Sequence, residues 1–238
     1  MRDYVFLACP HYGAIDPEAL PGLMLASEGR RFTVRANGAS LLAHNFNRLL
    51  CDALAEKPEQ GYTHFAMMHS DQAPPPYWLD TLIAEMDRVN ADVISVAVAI
   101  KDHRGLSSTG ERDPETGEIR RYTMQELHGG MPETFCAQDV CPGKELMVNT
   151  GLWVARFGDW WDEFPGFTIT DAIVGERGQR RAGVMPEDWA FSQWAHAKGL
   201  KVYATSKVAV THYGRKGWPN NHAWGEWETD RGDACLRA

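Results

Sequence analysis

"DVISVAVAI", residues 92–100, is the stretch on which the fold turns. It is almost continuously apolar and rich in β-branched residues, as suits a strand covered on both faces by helices. Outward from it, short apolar runs alternate with helical periodicity, the order expected of a mostly parallel sheet joined by crossover helices. On the N-terminal side, 62–68 reads as a strand, and Trp78, Leu79, Leu82, Ile83 and Met86 mark a helix between the two. Further back, 4–9 is a buried strand ending at Pro10, and 31–34 is another. Ser40 is placed to cap a helix with Leu42, Phe46, Leu49, Leu50 and Ala53 on one face and Asn45 and Arg48 on a different, polar one.

Beyond residue 100 the pattern loosens. Residues 101–145 carry many Gly, Pro and charged residues, with "DPETGEI" at 113–119 a turn between polar strands, so this part reads as an excursion over a site instead of core. Regularity returns with "ELMVNTGLWVARF", 145–157, a strand pair or one long strand around Gly151. A helix from Glu187 stopped at Gly199, a strand at 201–204 and a last strand at 208–210 complete the pattern. The expectation is one α/β, Rossmann-like domain over 1–214, its central mostly parallel mixed sheet flanked by helices. A tail follows at 215–238, rich in Trp, Asn and Gly, without regular structure and packing on or near the site.

Composition narrows the function classes. With 44% apolar and 11% aromatic residues in 238, the chain can bury one substantial core, which excludes extended disorder. A balance of 32 acidic against 24 basic side chains, net −8, repels polyanions at long range and argues against a generic nucleic-acid coat. Five cysteines, Cys9, Cys51, Cys136, Cys141 and Cys235, are odd in number, scattered and without a CxxC pair. They indicate neither a disulfide framework nor a structural zinc site, and point to a reducing cytoplasm. The apolar stretch before Pro10 is too short for a signal-peptide core, and no run long enough for a membrane span occurs.

In "MMHSDQAPP", residues 67–75, Asp71 stands at the carboxyl end of a strand, where ligands collect in open α/β sheets. A carboxylate there can hold a divalent cation whose other positions are filled by phosphate oxygens and water. The same residue also suits a turn ahead of Pro74.

The order of three segments resembles the GT-A fold glycosyltransferases of phage and bacterial type, which take a sugar from a nucleotide diphosphate carrier. "HSDQAPPPYWLDTL" is similar to their acidic DxD segment, with His69 in place of the first acid. "NTGLWVARFGDWW" is similar to the glycine-containing strand beside the donor sugar, and "PEDWAFSQWAHAKGLKVYATSKVAVTH" to the acidic ED helix followed by a metal-binding histidine. The resemblance runs in order over about residues 3–214.

It implies Asp71 and His212 as ligands of Mn²⁺ or Mg²⁺, with His69 a further ligand or a contact to the nucleotide; imidazole suits manganese better. Asp188, and after it Glu187, would be the catalytic base of an inverting transfer, or would orient hydroxyls in a retaining one. Nucleotide-sugar contacts would come from Pro10, His11, Tyr12, Asn37, Asn45, Arg48, His69, Ser70, Thr150, Gly151 and Trp189, the last being either a sugar platform or a core anchor. The implied partners are a UDP- or GDP-sugar and an acceptor hydroxyl on a small molecule, glycan or protein, or on a hydroxymethylated pyrimidine of phage-like DNA. Arg177, Arg180 and Arg181 are placed to meet an anionic acceptor or simply to solvate a loop. Two alternatives stay open. One is a sugar nucleotidyltransferase, although "CPHYGAIDP" lacks the Gly-rich, basic signature of that class; the other is a non-catalytic nucleotide-sugar-binding module.

Overall fold

The computed structural model describes residues 3–176 and 180–231. Among them, seven strands form one sheet in the order Arg31–Gly38, Tyr4–His11, His64–Met68, Leu152–Arg156, Val93–Val96, Val202–Thr205, Thr134–Cys136. Leu152–Arg156 and Thr134–Cys136 run antiparallel to the other five. This is the mixed, mostly parallel α/β sheet that the sequence pattern implies.

Strand periodicity divides the core into two layers. Phe6, Ala8, Phe65, Met67, Val93, Trp153 and Ala155 face one side, where Phe46, Leu49, Leu50 and Ala53 of helix Leu42–Gln60 cover them. Val5, Leu7, Ala66, Met68, Ile94, Val96 and Val154 face the other, under Trp78, Leu79, Leu82, Ile83 and Met86 of helix Trp78–Val89. Because Tyr4–His11, Arg31–Gly38 and His64–Met68 are parallel, their carboxyl ends lie along one edge of the sheet. Asp71 follows the third of them.

Several expectations need correction. The helix N-cap is Leu41, without a side-chain hydrogen bond, and not Ser40. Asn45 turns inward instead of lying on a polar face, and is 1% exposed. The run 92–100 is a strand only over Val93–Val96. Past it Val98 O accepts from Ser108 N, and Ala99 forms an isolated bridge with Ser107, so the chain leaves the main sheet while staying buried.

Residues 101–145 are not an excursion. Leu106–Arg112 pairs with both Ile119–Thr123 and Glu145–Met147 in a second sheet, and Thr134–Cys136 closes an edge of the main one. Tyr122, Met124, Leu127 and Phe135 are core residues. A hydrophobicity reading misses this sheet because several of its buried residues are polar: Ser107, Thr109, Glu111 and Thr123 are all buried. The turn at 113–119 does form, with Asp113 Oδ1 accepting from Glu115 N at 2.8 Å.

The segment 145–157 is a pair of strands, but they belong to different sheets. Val208 and Val210 are buried without strand pairing; the strand is Thr211–Tyr213. The tail has regular structure, since Gly217–Pro219 pairs with that strand. Its Asp230 side chain accepts from Arg121 N at 2.9 Å, and Thr123 Oγ1 donates to Glu228 O at the same distance. Cys9, Cys51, Cys136 and Cys141 are free thiols; Cys235 and Arg177 lie outside the described residues. No helix among the described residues is long and apolar enough to cross a membrane.

Candidate active site

The strand His64–Met68 ends in a tight turn: His69 N donates to Gly151 O at 2.7 Å, and Gln72 N donates back to His69 O at 3.1 Å. That turn holds Asp71 at the sheet edge. Gln72–Ala73 then pairs antiparallel with Thr211–Tyr213 in the register His212↔Gln72, and Tyr213 N donates to Asp71 O at 2.7 Å. This short ladder is what unites two residues so distant in sequence.

His212 Nδ1 lies 2.9 Å from Ala99 O, which can only accept, so Nδ1 carries the proton and Nε2 is turned toward Asp71. Nε2 and Asp71 Oδ2 stand 3.5 Å apart. In the neutral imidazole these are two lone-pair-bearing atoms face to face, an arrangement that calls for a cation: a proton on Nε2, a metal ion, or a neighbouring ammonium. Lys101 Nζ supplies an ammonium, ion-paired to the same Oδ2. Burial alone would raise the Asp71 carboxyl; the hydrogen bond and charge of His212, with Lys101, outweigh it and hold Asp71 well below the usual carboxylate range.

Next to this pair lies a cavity of about 120 Å³ lined by His69, Gln72, Val98, Ser108, Asn149, Thr150, Gly151, Glu187, Asp188 and His212. His69 Nε2, Gln72 Oε1, Thr150 Oγ1 and Asp71 Oδ1 are each buried without a hydrogen-bond partner. Unpaired buried polar atoms are costly, so four gathered at one place mark a ligand site better than any one of them alone. The His69 imidazole, against the Phe46 ring at 5.0 Å, is lowered to about 4, chiefly by burial, and so is neutral at pH 7.

Asn149 builds the floor. Its Oδ1 accepts from Gly151 N at 2.8 Å and Leu152 N at 3.2 Å, its Nδ2 donates to Val96 O, and its own carbonyl accepts from Ser95 Oγ at 2.7 Å. The turn so formed brings Gly151 under Gln72, where a Cβ would come within 2.1 Å of Gln72 Nε2.

Glu187 and Asp188 open helix Glu187–Ala197, anchored by Ser192 Oγ, which accepts from Val148 N at 3.0 Å. Asp188 is half-buried, with Oδ1 accepting from Trp189 N at 2.8 Å. Burial first, and then the charge of Glu187, raise its carboxyl to about 7 against the opposing pull of Arg121. Burial also raises Glu187. Arg121 stacks over the Trp189 ring at 4.3 Å and donates from Nη1 to Ser107 O at 3.3 Å, which keeps its charge near Asp188.

The fold therefore brings His69, Thr150, Gly151, Glu187, Asp188 and His212 to one cavity, with Asp71 at its border. Other candidates are placed differently. Pro10 is buried in its strand. His11 Nδ1 contacts Gly13 O at 2.9 Å, and the ring covers Gly38. Tyr12 is 81% exposed just past that strand, and Arg48 is exposed on its helix. Asn37 Nδ2 donates to Asn45 Oδ1 at 2.6 Å, while Asn45 Nδ2 returns a bond to Asn37 O, so the two amides engage each other. Ser70 gives its carbonyl to Asp16 N. Trp189 is fully buried and anchors core, which removes the platform role. The sequence reading overlooked Lys101, Gln72, Asn149 and Arg121, although Gln72, next to Asp71, and Asn149, beside Thr150 and Gly151, lie in the two segments that carry the resemblance.

The donor set fits a divalent cation in part. One carboxylate and one imidazole meet at Asp71 and His212, and an orphaned Asp71 oxygen is available. Among the described residues no group of three His, Cys, Asp or Glu side chains is arranged to hold a metal by itself, so a substrate would have to complete the coordination.

No protein-family model matches the chain, and no curated protein matches it. Among solved structures, A197 from STIV is similar over 100% of this chain and 98% of its own, at 12% identity and a TM-score of 0.55, a likeness of fold. Residues 1–349 of S. aureus TarS match at 10% identity and a TM-score of 0.43, covering 85% of this chain and 58% of that one. The nucleoside-diphosphate-sugar pyrophosphorylase from Vibrio cholerae RC9 matches at 11% identity and 0.40, covering 84% and 91%. The last two superpositions are too loose to bear on function. What the fold and site define is a Rossmann-like α/β protein with a polar, carboxylate-bearing cavity beside the carboxyl ends of its parallel strands.

Proposed function

We propose that the chain is a metal-dependent glycosyltransferase that moves a sugar from a UDP- or GDP-sugar to an acceptor hydroxyl. The observation that carries the reading is the facing pair of Asp71 Oδ2 and His212 Nε2 at 3.5 Å, with Asp188 lining the cavity that His212 also lines. Asp71 and His212 would hold the ion, with manganese preferred because an imidazole is in the set. When bound, the ion supplies neutralising charge to the leaving diphosphate.

The chain's own residues do the remaining work. Asp188, raised to about 7 by burial, is a base suited to taking a proton from a hydroxyl near neutral pH, and its second oxygen is not used by Trp189 N. As the acceptor O–H bond breaks, its proton passes to that carboxylate. The acceptor oxygen forms the new bond to the anomeric carbon, and the electrons of the old carbon–oxygen bond leave with the diphosphate. Gln72 Oε1 and Thr150 Oγ1, buried and unpartnered, are suited to bind sugar hydroxyls. For the acceptor, a net charge of −8 favours a neutral hydroxyl compound over a hydroxymethylated pyrimidine in DNA.

The test is a panel of radiolabelled UDP- and GDP-sugars with Mn²⁺ or Mg²⁺, alone and with glycans, small alcohols or hydroxymethylated DNA. Transfer or slow hydrolysis of one donor, abolished in Asp71→Ala with an unchanged circular dichroism spectrum, is expected. Inertness toward every donor, or pyrophosphate release from a nucleoside triphosphate and a sugar 1-phosphate instead, would overturn the assignment.

A further inference from the structure

Asp71 Oδ2 is claimed twice, by the Lys101 ammonium and by His212 Nε2. With one carboxylate and one ammonium, the pair carries no net charge to attract a divalent ion. An ion between Asp71 and His212 would also stand beside the Lys101 ammonium, and like charges at that range repel.

Lys101 is built to move. Its backbone is fixed at the bridge Ala99↔Ser107 and by Ile100 N donating to Leu106 O at 2.9 Å, while its side chain is 34% exposed. Among the described residues Asp71 is the one side chain that accepts from its ammonium. Gly214, two residues past His212, leaves room for the stem: a Cβ there would stand 3.1 Å from Lys101 Cδ. A four-carbon stem with one fixed end and one ionic contact can re-aim its charge within a small radius.

We propose that Lys101 is the internal counter-ion of Asp71, neutralising it until a cation–nucleotide complex arrives and then transferring its charge to the diphosphate. The inference rests on the donor-site reading above. It assigns Lys101 a positioning role, and it makes the cation a passenger of the nucleotide, because the free site is already neutralised. The chemistry recognised is that of a nucleoside diphosphate.

The experiment measures Mn²⁺ binding by the electron paramagnetic resonance signal of the free ion, and UDP and GDP binding by calorimetry in the presence of Mn²⁺. Wild type, Lys101→Met and Lys101→Arg are compared. Removing the ammonium should tighten binding of Mn²⁺ alone about fivefold or more, as expected for relief of one partly exposed charge contact, and should weaken the better-bound nucleotide by a similar factor. Lys101→Arg should restore nucleotide affinity. A purely structural lysine would move both affinities in the same direction or neither, so either pattern in a wild type that binds both ligands overturns the role of Lys101 alone. If neither wild type nor Lys101→Met binds Mn²⁺, UDP or GDP, the donor-site reading falls and the inference falls with it.

Discussion

Replacing Asp188 by Asn should inactivate the protein and at the same time make it more stable, with a pH signature that follows from the site. Asn keeps the shape of the side chain and an oxygen to accept the 2.8 Å bond from Trp189 N, so the helix start is preserved. What is lost is a carboxyl whose ordinary value of 3.8 is raised to about 7, mainly by burial. At about 1.4 kcal/mol per pKa unit the difference corresponds to about 4 kcal/mol, and halving it for the partial exposure of the group leaves about 2 kcal/mol.

The sign follows from proton linkage. Below pH 3.8 both folded and unfolded chains hold the proton, and the variant gains nothing. As pH rises, the unfolded chain releases its proton first, so wild-type stability falls until the folded carboxyl also ionises near 7. Above that the gap is constant. Denaturant unfolding of the two proteins from pH 4 to 8.5 should show the curves separating with pH and Asp188→Asn the more stable by about 2 kcal/mol at pH 8, or about 4–8 °C in Tm. Equal stabilities at pH 8, or a gap independent of pH, would refute the claim that Asp188 is held in a desolvated site.

Two further outcomes follow. The acidic limb of the kcat/KM profile for the donor identified in the panel should have its midpoint near 7, since Asp188 acts only when ionised; a midpoint near 4 would point to an ordinary surface carboxyl. Gly151→Ala would place a Cβ 2.1 Å from Gln72 Nε2 and should cost about 1–3 kcal/mol by urea unfolding, because the clash lies in a buried turn; an unchanged midpoint would mean that Gln72 moves freely.

Much of the fold was legible because burial on both faces of a sheet leaves an uninterrupted apolar run. Residues 62–68 and the helix periodicity around Leu49 and Leu82 were enough to place the main layers. The 101–145 region was misread because its strand Leu106–Arg112 buries polar residues, Ser107, Thr109 and Glu111, and Tyr122 and Phe135 cannot announce from composition that they are core. The acidic candidates of the site were legible from position, as Asp71 follows a strand and Asp188 opens a helix.

The sequence by itself determined the α/β architecture, the strand-end carboxylate and the acidic helix start, all of them consequences of local periodicity and of chain order. Only the tertiary structure decided that His212 meets Asp71, that Lys101 reaches the same oxygen and that Asp188 is desolvated beside Arg121. Those facts depend on which strand pairs with which and in what register, and on how much protein surrounds a side chain. Contacts between residues so far apart in the chain leave no periodic trace in either segment.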